Sequence, residues 1–327
     1  MESIKFVFFG HIDSGKSTCA GHLYYLCGGI SEHEFNNIKK ECEEDKATYQ
    51  LWSRVLDIND EEKLKGKTYE FTLLDFEFKG SKFCLIDNPG HKMFIREMIK
   101  GMTYFENSNV IGCLLISAKP GEFEAGWVNG QTKEDIIIAK SLGVKDLVVL
   151  VNKMETINWN KKTFDTIVGK VNHFVEKICK FKNIKYIPVS GYDGTGLVDK
   201  NNLPQWYSGE SVIRTMIDIT DLDQEPYPTN KSNKKIIEKE VSKFIGEVKI
   251  LWCQTVITKG FECVLHYCGQ EYDIILDNLP KTFLKKMDVA KCTIIGKQKI
   301  IVRSSSKRFI LRSGNNTIGF GTIVKLC

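Results

Sequence analysis

Gly10-His11-Ile12-Asp13-Ser14-Gly15-Lys16-Ser17 decides the reading of this chain. Its spacing is G-x-x-x-x-G-K-S. An apolar run, Ile4 to Phe9, precedes it and reads as a buried strand, and Ser17 to Leu26 after it reads as a helix. Strand, glycine loop and helix in that order form a phosphate-binding loop. The glycines let consecutive N–H groups turn inward around an anion, at the positive end of the following helix. His11, Asp13, Ser14, Gly15, Lys16, Ser17 and Thr18 are therefore the candidate nucleotide contacts of the loop. Lys16 can reach the β- and γ-phosphates, and the Ser17 hydroxyl can ligate Mg²⁺.

Composition bounds what surrounds the loop. The 327 residues suffice for about two domains. Apolar residues make up 42%, enough for a substantial core. The net charge of +5 permits an RNA-rich partner without demanding one. The 11 cysteines form no C-x-x-C pairs and read as thiols of a reducing, cytoplasmic compartment. The opening apolar run is too short for a signal peptide, and no stretch approaches the roughly 18 apolar residues of a membrane span.

Two regimes follow along the chain. Residues 1–217 alternate strand-like runs (Ile4–Phe9, Thr68–Phe78, Lys82–Asp87, Val110–Ser117, Asp146–Val151, Lys185–Val189) with helix-like ones (Ser17–Leu26, His33–Lys46, Met93–Lys100, Gln131–Leu142, Phe164–Lys180). Strands that are continuous apolar runs belong to a sheet covered on both faces, so this part is expected to be a doubly wound α/β domain. Residues 218–240, with Pro226, Pro228 and a polar Asn-Lys run, read as a linker. From 241 to 327 short β-rich runs alternate with turns, which predicts a small all-β barrel. Two of these runs are Ala290–Ile295 and Lys299–Val302.

Three further motifs lie just after predicted strands, where ligands of such sheets bind. Asp87-Asn88-Pro89-Gly90-His91 places a carboxylate where it can hold a Mg²⁺-bound water, and Gly90 can offer its N–H to a γ-phosphate. Asn152-Lys153-Met154-Glu155 can read a purine. The Asn amide can bond the Hoogsteen edge, the Lys stem can lie along the base, and the carboxylate can accept from N1–H and N2 of guanine. Adenine lacks those donors, so the carboxylate sets base choice. Ser190-Gly191-Tyr192 can close the base pocket with a backbone N–H.

Together these motifs resemble the translational GTPases of the elongation factor 1-alpha and eukaryotic release factor three branch. Gly10 to Thr18, Asp87 to Lys92, Gly121-Glu122-Phe123-Glu124-Ala125-Gly126, Asn129-Gly130-Gln131-Thr132, Asn152-Lys153-Met154 and Val189-Ser190-Gly191 carry the likeness. Lys65-Gly66-Lys67-Thr68 and Ile157-Asn158-Trp159 are closer to release factor three. The resemblance implies GTP and GDP as ligands, with Mg²⁺ held by Ser17, Thr68 and Asp87. It implies catalysis by Lys16, Thr68 and His91, with His91 orienting the attacking water. It also implies a monovalent cation near Asp13 and a hydrophobic gate that includes Ile12. An isoleucine completes that gate in elongation factors, and Lys67 stands there in this chain.

Two departures stand out. Glu155 replaces the family's Asp and reaches ~1.5 Å further. Either the fit to guanine weakens or the local backbone compensates. The family also carries two β-barrels, whereas this chain has room for one, and Lys307-Arg308-Phe309-Ile310-Leu311-Arg312 resembles the final barrel. Losing the middle barrel argues against tRNA delivery. The last barrel, by resemblance, would serve a release-factor-one-like protein, and a ribosome is the other expected partner. The expected protein is a monomeric GTP hydrolase. The alternatives are a weakly catalytic nucleotide switch, or decoy, that binds a release-factor-like partner, and an NTPase of relaxed base choice.

Overall fold

The computed structural model describes residues 3–56, 71–90, 97–99, 101, 110–128, 131–179, 181–222, 237–251, 256–304, 306–314 and 316–327. The chain divides into two compact units, most of residues 1–227 and residues 228–327 with short added segments. The first unit has a six-stranded sheet made of β1 (Ile4–Phe9), β2 (Thr72–Phe78), β3 (Ser81–Asp87), β4 (Val110–Ser117), β5 (Asp146–Asn152) and β6 (Asn183–Pro188). Its spatial order is β2-β3-β1-β4-β5-β6. Only the β2–β3 pairing is antiparallel. The pairings β1–β3, β1–β4, β4–β5 and β5–β6 are parallel. Parallel strands need crossovers, and the helices α1 (Lys16–Leu26), α2 (Glu32–Glu44), α3 (Leu51–Arg54), α4 (Glu122–Val128), α5 (Gln131–Leu142) and α6 (Lys161–Ile178) lie in the intervening chain, with α7 (Val212–Leu222) following the last strand.

The strand sequences explain the layering. All seven residues of β5 are buried, as are seven of the eight in β4. Such strands can only sit inside a covered sheet. Phe6 anchors one face, with ring centroids 5.7 Å from Phe8, 6.5 Å from Phe76 and 6.3 Å from Phe83. Helix starts differ in an informative way. At α2, Ser31 Oγ accepts from the Glu34 N–H while the Glu34 carboxylate accepts from the Ser31 N–H, a reciprocal cap. At α6, Asn160 caps Thr163. At α1 no side chain caps the first turn, and Gly15 holds the cap position with φ 87°. The first N–H groups of α1 thus face the phosphate loop without a side-chain acceptor.

The second unit is a closed barrel built from β7 (Glu238–Ile250), β9 (Phe261–Tyr267), β10 (Gln270–Asp277), β12 (Val289–Arg303), β13 (Arg308–Ser313) and β14 (Asn316–Leu326). A two-stranded ribbon, β8 (Ile257–Thr258) with β11 (Phe283–Leu284), accompanies it. The barrel closes in the order β10-β12-β7-β14-β13-β9. Phe244 and Phe309 cross edge to face in its core, 5.7 Å apart.

Several sequence expectations change in detail. The runs Ala290–Ile295 and Lys299–Val302 are one strand, β12, because a bulge between Ile295 and Ile300 absorbs the intervening polar residues without ending the pairing to β7. Helices α3, α4 and α7 were not expected. Regular structure enters both ends of the span read as a linker: α7 runs to Leu222 and β7 starts at Glu238. The expected helix Met93–Lys100 and the start of the strand Thr68–Phe78 fall mostly outside the described residues. Among the described residues no helix is long and apolar enough to cross a membrane.

Phe6 is fully buried. Replacing it by Ala should destabilise the α/β unit by about 3–5 kcal/mol in urea unfolding, and a loss under about 1 kcal/mol would contradict the core described.

Candidate functional site

The site is assembled at the carboxyl ends of β1, β3 and β5 and just beyond β6. Gly10 and Gly15 take φ of 137° and 87°, and Asp13 between them takes 61°. This backbone turns the chain back across the end of β1. The Lys16 side chain folds over the loop, its ammonium donating to the carbonyls of Gly10 (3.0 Å) and His11 (2.9 Å). Burial lowers the Lys16 pKa, against upward pulls from Asp87, Asp135 and Asp13. Ser14 Oγ is buried and has no hydrogen-bond partner among the described residues. A buried hydroxyl inside a glycine loop suits a ligand that brings oxygen acceptors.

Asp87 closes β3 and is 1% exposed. The Ser17 hydroxyl donates to its Oδ2 at 2.7 Å. A hydroxyl and a carboxylate converging at a phosphate loop are hard oxygen donors, the set that Mg²⁺ favours, so Ser17 and Asp87 fit the ion. Gly90 lies against the lysine, since a Cβ there would collide with Lys16 Nζ. Thr68 and His91, expected to complete the switch, lie outside the described residues, as does Lys67.

The segments that follow β5 and β6 meet the phosphate loop through Asn152. Its Nδ2 donates to Ser14 O at 2.8 Å, and its Oδ1 accepts from the Gly191 N–H at 2.8 Å. Lys153 sits in the left-handed region, φ 63°, which turns β5 abruptly into the short helical turn Met154–Ile157. Its ammonium pairs with Glu122 of α4 at 2.7 Å. Burial pushes Glu122 up, but hydrogen bonds from Lys153, Ser117 and Lys119 outweigh it and leave that carboxyl below its ordinary pKa. Glu155 Oε2 is buried with no hydrogen-bond partner among the described residues, which suits a base presenting N–H donors. In the closing loop, Ser190 is fully buried, while Tyr192 is 58% exposed.

The structure thus brings together the loop residues 10–18, Asp87, Gly90, Asn152, Lys153, Glu155 and Ser190–Tyr192. It also adds residues to which the sequence assigned no role. Gln131, at the start of α5, bonds His11 Nδ1 through Oε1 (2.9 Å) and donates from Nε2 to Gly90 O (2.6 Å), joining the phosphate loop to the segment after β3. Its place in the Asn-Gly-Gln-Thr motif was the available signal. Glu122 was visible only as part of a family-like run, and nothing local marked it as the partner of Lys153.

Asp135, on α5, is fully buried, and neither carboxylate oxygen has a hydrogen-bond partner among the described residues. Burial, reinforced by Glu134 and opposed by Lys16, pushes its pKa up to about 8. An acid raised in the folded state leaves stability intact below its unfolded value, near 4, and removes it as pH climbs toward 8. Asp135→Asn should therefore gain melting temperature relative to the parent as pH rises from 4 to 8. A difference that stays flat across that window would contradict the assignment.

Comparison with known proteins agrees with this geometry. The family model "Elongation factor Tu GTP binding domain" matches residues 1–260, and "Elongation factor Tu C-terminal domain" matches residues 237–327. The matches overlap, and the span between Leu222 and Glu238 is too short for another barrel. The eukaryotic peptide chain release factor GTP-binding subunit of Kluyveromyces lactis is 37% identical over 235 residues, covering 68% of this chain and 32% of that protein. Elongation factor 1-alpha of Coccidioides immitis is 37% identical over 239 residues, covering 70% of this chain and 51% of that protein. The chain thus matches about a third to a half of the length of these relatives. In fold it is similar to the Saccharomyces cerevisiae Ski7 GTPase-like domain solved with GDP and inorganic phosphate, with a TM-score of 0.86 at 14% identity, covering 98% of this chain and 97% of that one. A phosphate loop, a Ser–Asp pair, a buried carboxylate after β5 and a C-terminal barrel, matched end to end by these two domain families, make this chain a member of the translational GTPase family of the elongation factor 1-alpha and eukaryotic release factor three type.

Proposed function

We propose that the protein binds GTP and hydrolyses it to GDP and phosphate as a translation-factor-like switch. The observation that carries the reading is the Ser17–Asp87 contact of 2.7 Å beside the buried Lys16 ammonium. Hydrolysis joins a water oxygen to the γ-phosphorus while the bond to the β–γ bridging oxygen breaks, and that oxygen leaves on GDP. The protein's part is positioning and charge. Lys16, raised over the loop by two carbonyls, can turn its ammonium to the β- and γ-phosphates. Uncapped N–H groups at the start of α1 face the same oxygens. Ser17, Asp87 and Thr68 would hold Mg²⁺, which when bound neutralises charge on the β- and γ-oxygens. His91 orients the water, and Gln131 fixes the Gly90 carbonyl immediately before it. Asn152, Glu155 and the Ser190–Tyr192 loop take the guanine, with Lys153 along the base and clamped by Glu122. Asp13 is the candidate for a monovalent cation contact.

A second reading is favoured by the one barrel among the described residues, whose first strand starts at Glu238, soon after α7 ends at Leu222. It is a slow nucleotide switch, or decoy, whose barrel holds a release-factor-like partner and whose turnover ignores ribosomes. One experiment serves both readings. His91→Ala should lower GTP turnover by about 10²-fold with nucleotide affinity little changed, since misplacing an attacking group costs on that order. Unchanged turnover would overturn the role of His91. In the same assay, acceleration by eukaryotic ribosomes is expected of a working translational GTPase. A slow rate indifferent to ribosomes would select the switch.

A further inference from the structure

His22 and Trp52 form a brace beside the purine loop. His22, on α1, is 5% exposed, and its Nδ1 lies 2.8 Å from Gly191 O. A carbonyl can only accept, so Nδ1 carries the proton. The imidazole lies flat on the Trp52 indole, with centroids 3.5 Å apart and planes 7° from parallel. The indole Nε1 of Trp52, on α3, donates to the next carbonyl of the same loop, Tyr192 O, at 3.0 Å. Two successive peptide carbonyls are thus held by two stacked rings from two different helices. The loop also wraps the imidazole closely, and a Cβ at Gly194 would run into its Cε1 and Nε2.

The stack is itself supported. Trp52 packs on Phe35 of α2 (5.4 Å, 20°) and on Tyr25 of α1 (5.5 Å, 44°), and Tyr25 stacks on Phe35 at 4.1 Å. Burial lowers the His22 pKa although the Gly191 carbonyl and Asp193 raise it, so a neutral ring faces the indole. Asn152 holds the Gly191 N–H from the opposite side. The two peptides that meet at Gly191 are therefore each held, one by its N–H and the next by its carbonyl, by groups that share no local sequence.

We propose that His22 and Trp52 are positioning residues for the guanine base, which orient the Gly191–Tyr192 peptides and thereby set how long the nucleotide stays bound. The inference rests on the reading above that Ser190–Tyr192 closes over the base. It gives α3 a defined task. Without these donors the Gly191–Tyr192 and Tyr192–Asp193 peptides are free to rotate, and the loop keeps its shape beside the base for a smaller fraction of the time.

The test is release of a fluorescent GDP analogue from the full chain, with competition by GDP and ADP. Trp52→Phe keeps an aromatic ring and loses the N–H donor, and His22→Phe does the same for Nδ1–H. Each should release the analogue roughly five- to ten-fold faster, the range that follows from losing one hydrogen bond. Trp52→Leu, which also loses the stack, should release it faster still. Preference for GDP over ADP should fall in all three, because the loop reads the base and leaves the phosphates alone. Should Trp52→Leu fail to fold, the two phenylalanine variants decide. Release within two-fold of the parent in both would overturn the brace. Weakening equal for GDP and ADP would mean general destabilisation, and would also overturn it. Failure of the parent itself to bind GDP would instead overturn the guanine-nucleotide reading.

Discussion

The carboxamide of Asn152 is the contact on which the site depends. It is 2% exposed, and both its ends are engaged, one by the phosphate loop and one by the purine loop. A buried amide with both ends satisfied rigidifies what it joins, and losing one partner would strand the other in a dry environment at about 1–3 kcal/mol. Around this bridge the layers fall into place. The peptide N–H of Ala118 donates to the Asn152 carbonyl at 2.7 Å, so the end of β4 is tied to the same residue. Lys153 then reverses direction and meets Glu122, which holds α4 against the base-reading turn.

Much of this was legible in the chain because the chemistry demands fixed residue types at the ends of strands. Gly10, Gly15, Lys16 and Ser17 are constrained by backbone shape and charge, and Asn152 and Glu155 by hydrogen-bond donors of a base. β1 and β4 could be read from apolar runs alone, and both have the bounds expected. What escaped was non-local. Gln131 matters because it touches His11 and Gly90, 120 and 41 residues away. His22 and Trp52 look like an ordinary helical histidine and an ordinary aromatic until the fold places Gly191 and Tyr192 beside them. The bulge in β12 escaped for another reason: Gly296-Lys297-Gln298 has turn composition, and only pairing to β7 shows that the strand continues.

Family membership and architecture address different questions. The two matched domains establish membership of the translational GTPase family, with its C-terminal barrel. Glu155 lies in a helical turn rather than in an extended loop, with Lys153 and Asn158 flanking it in left-handed conformations. A longer acid on a tightly turned backbone can reach the acceptor position of a shorter one by a different path.

The central claim is that these loops hold a guanine nucleotide, and calorimetric titration of the full chain with GDP and with ADP, each in the presence and absence of Mg²⁺, tests it most directly. The account predicts saturable binding of GDP, tightened by Mg²⁺ and much stronger than binding of ADP. Equal affinity for the two nucleotides, or no binding of either, would contradict it.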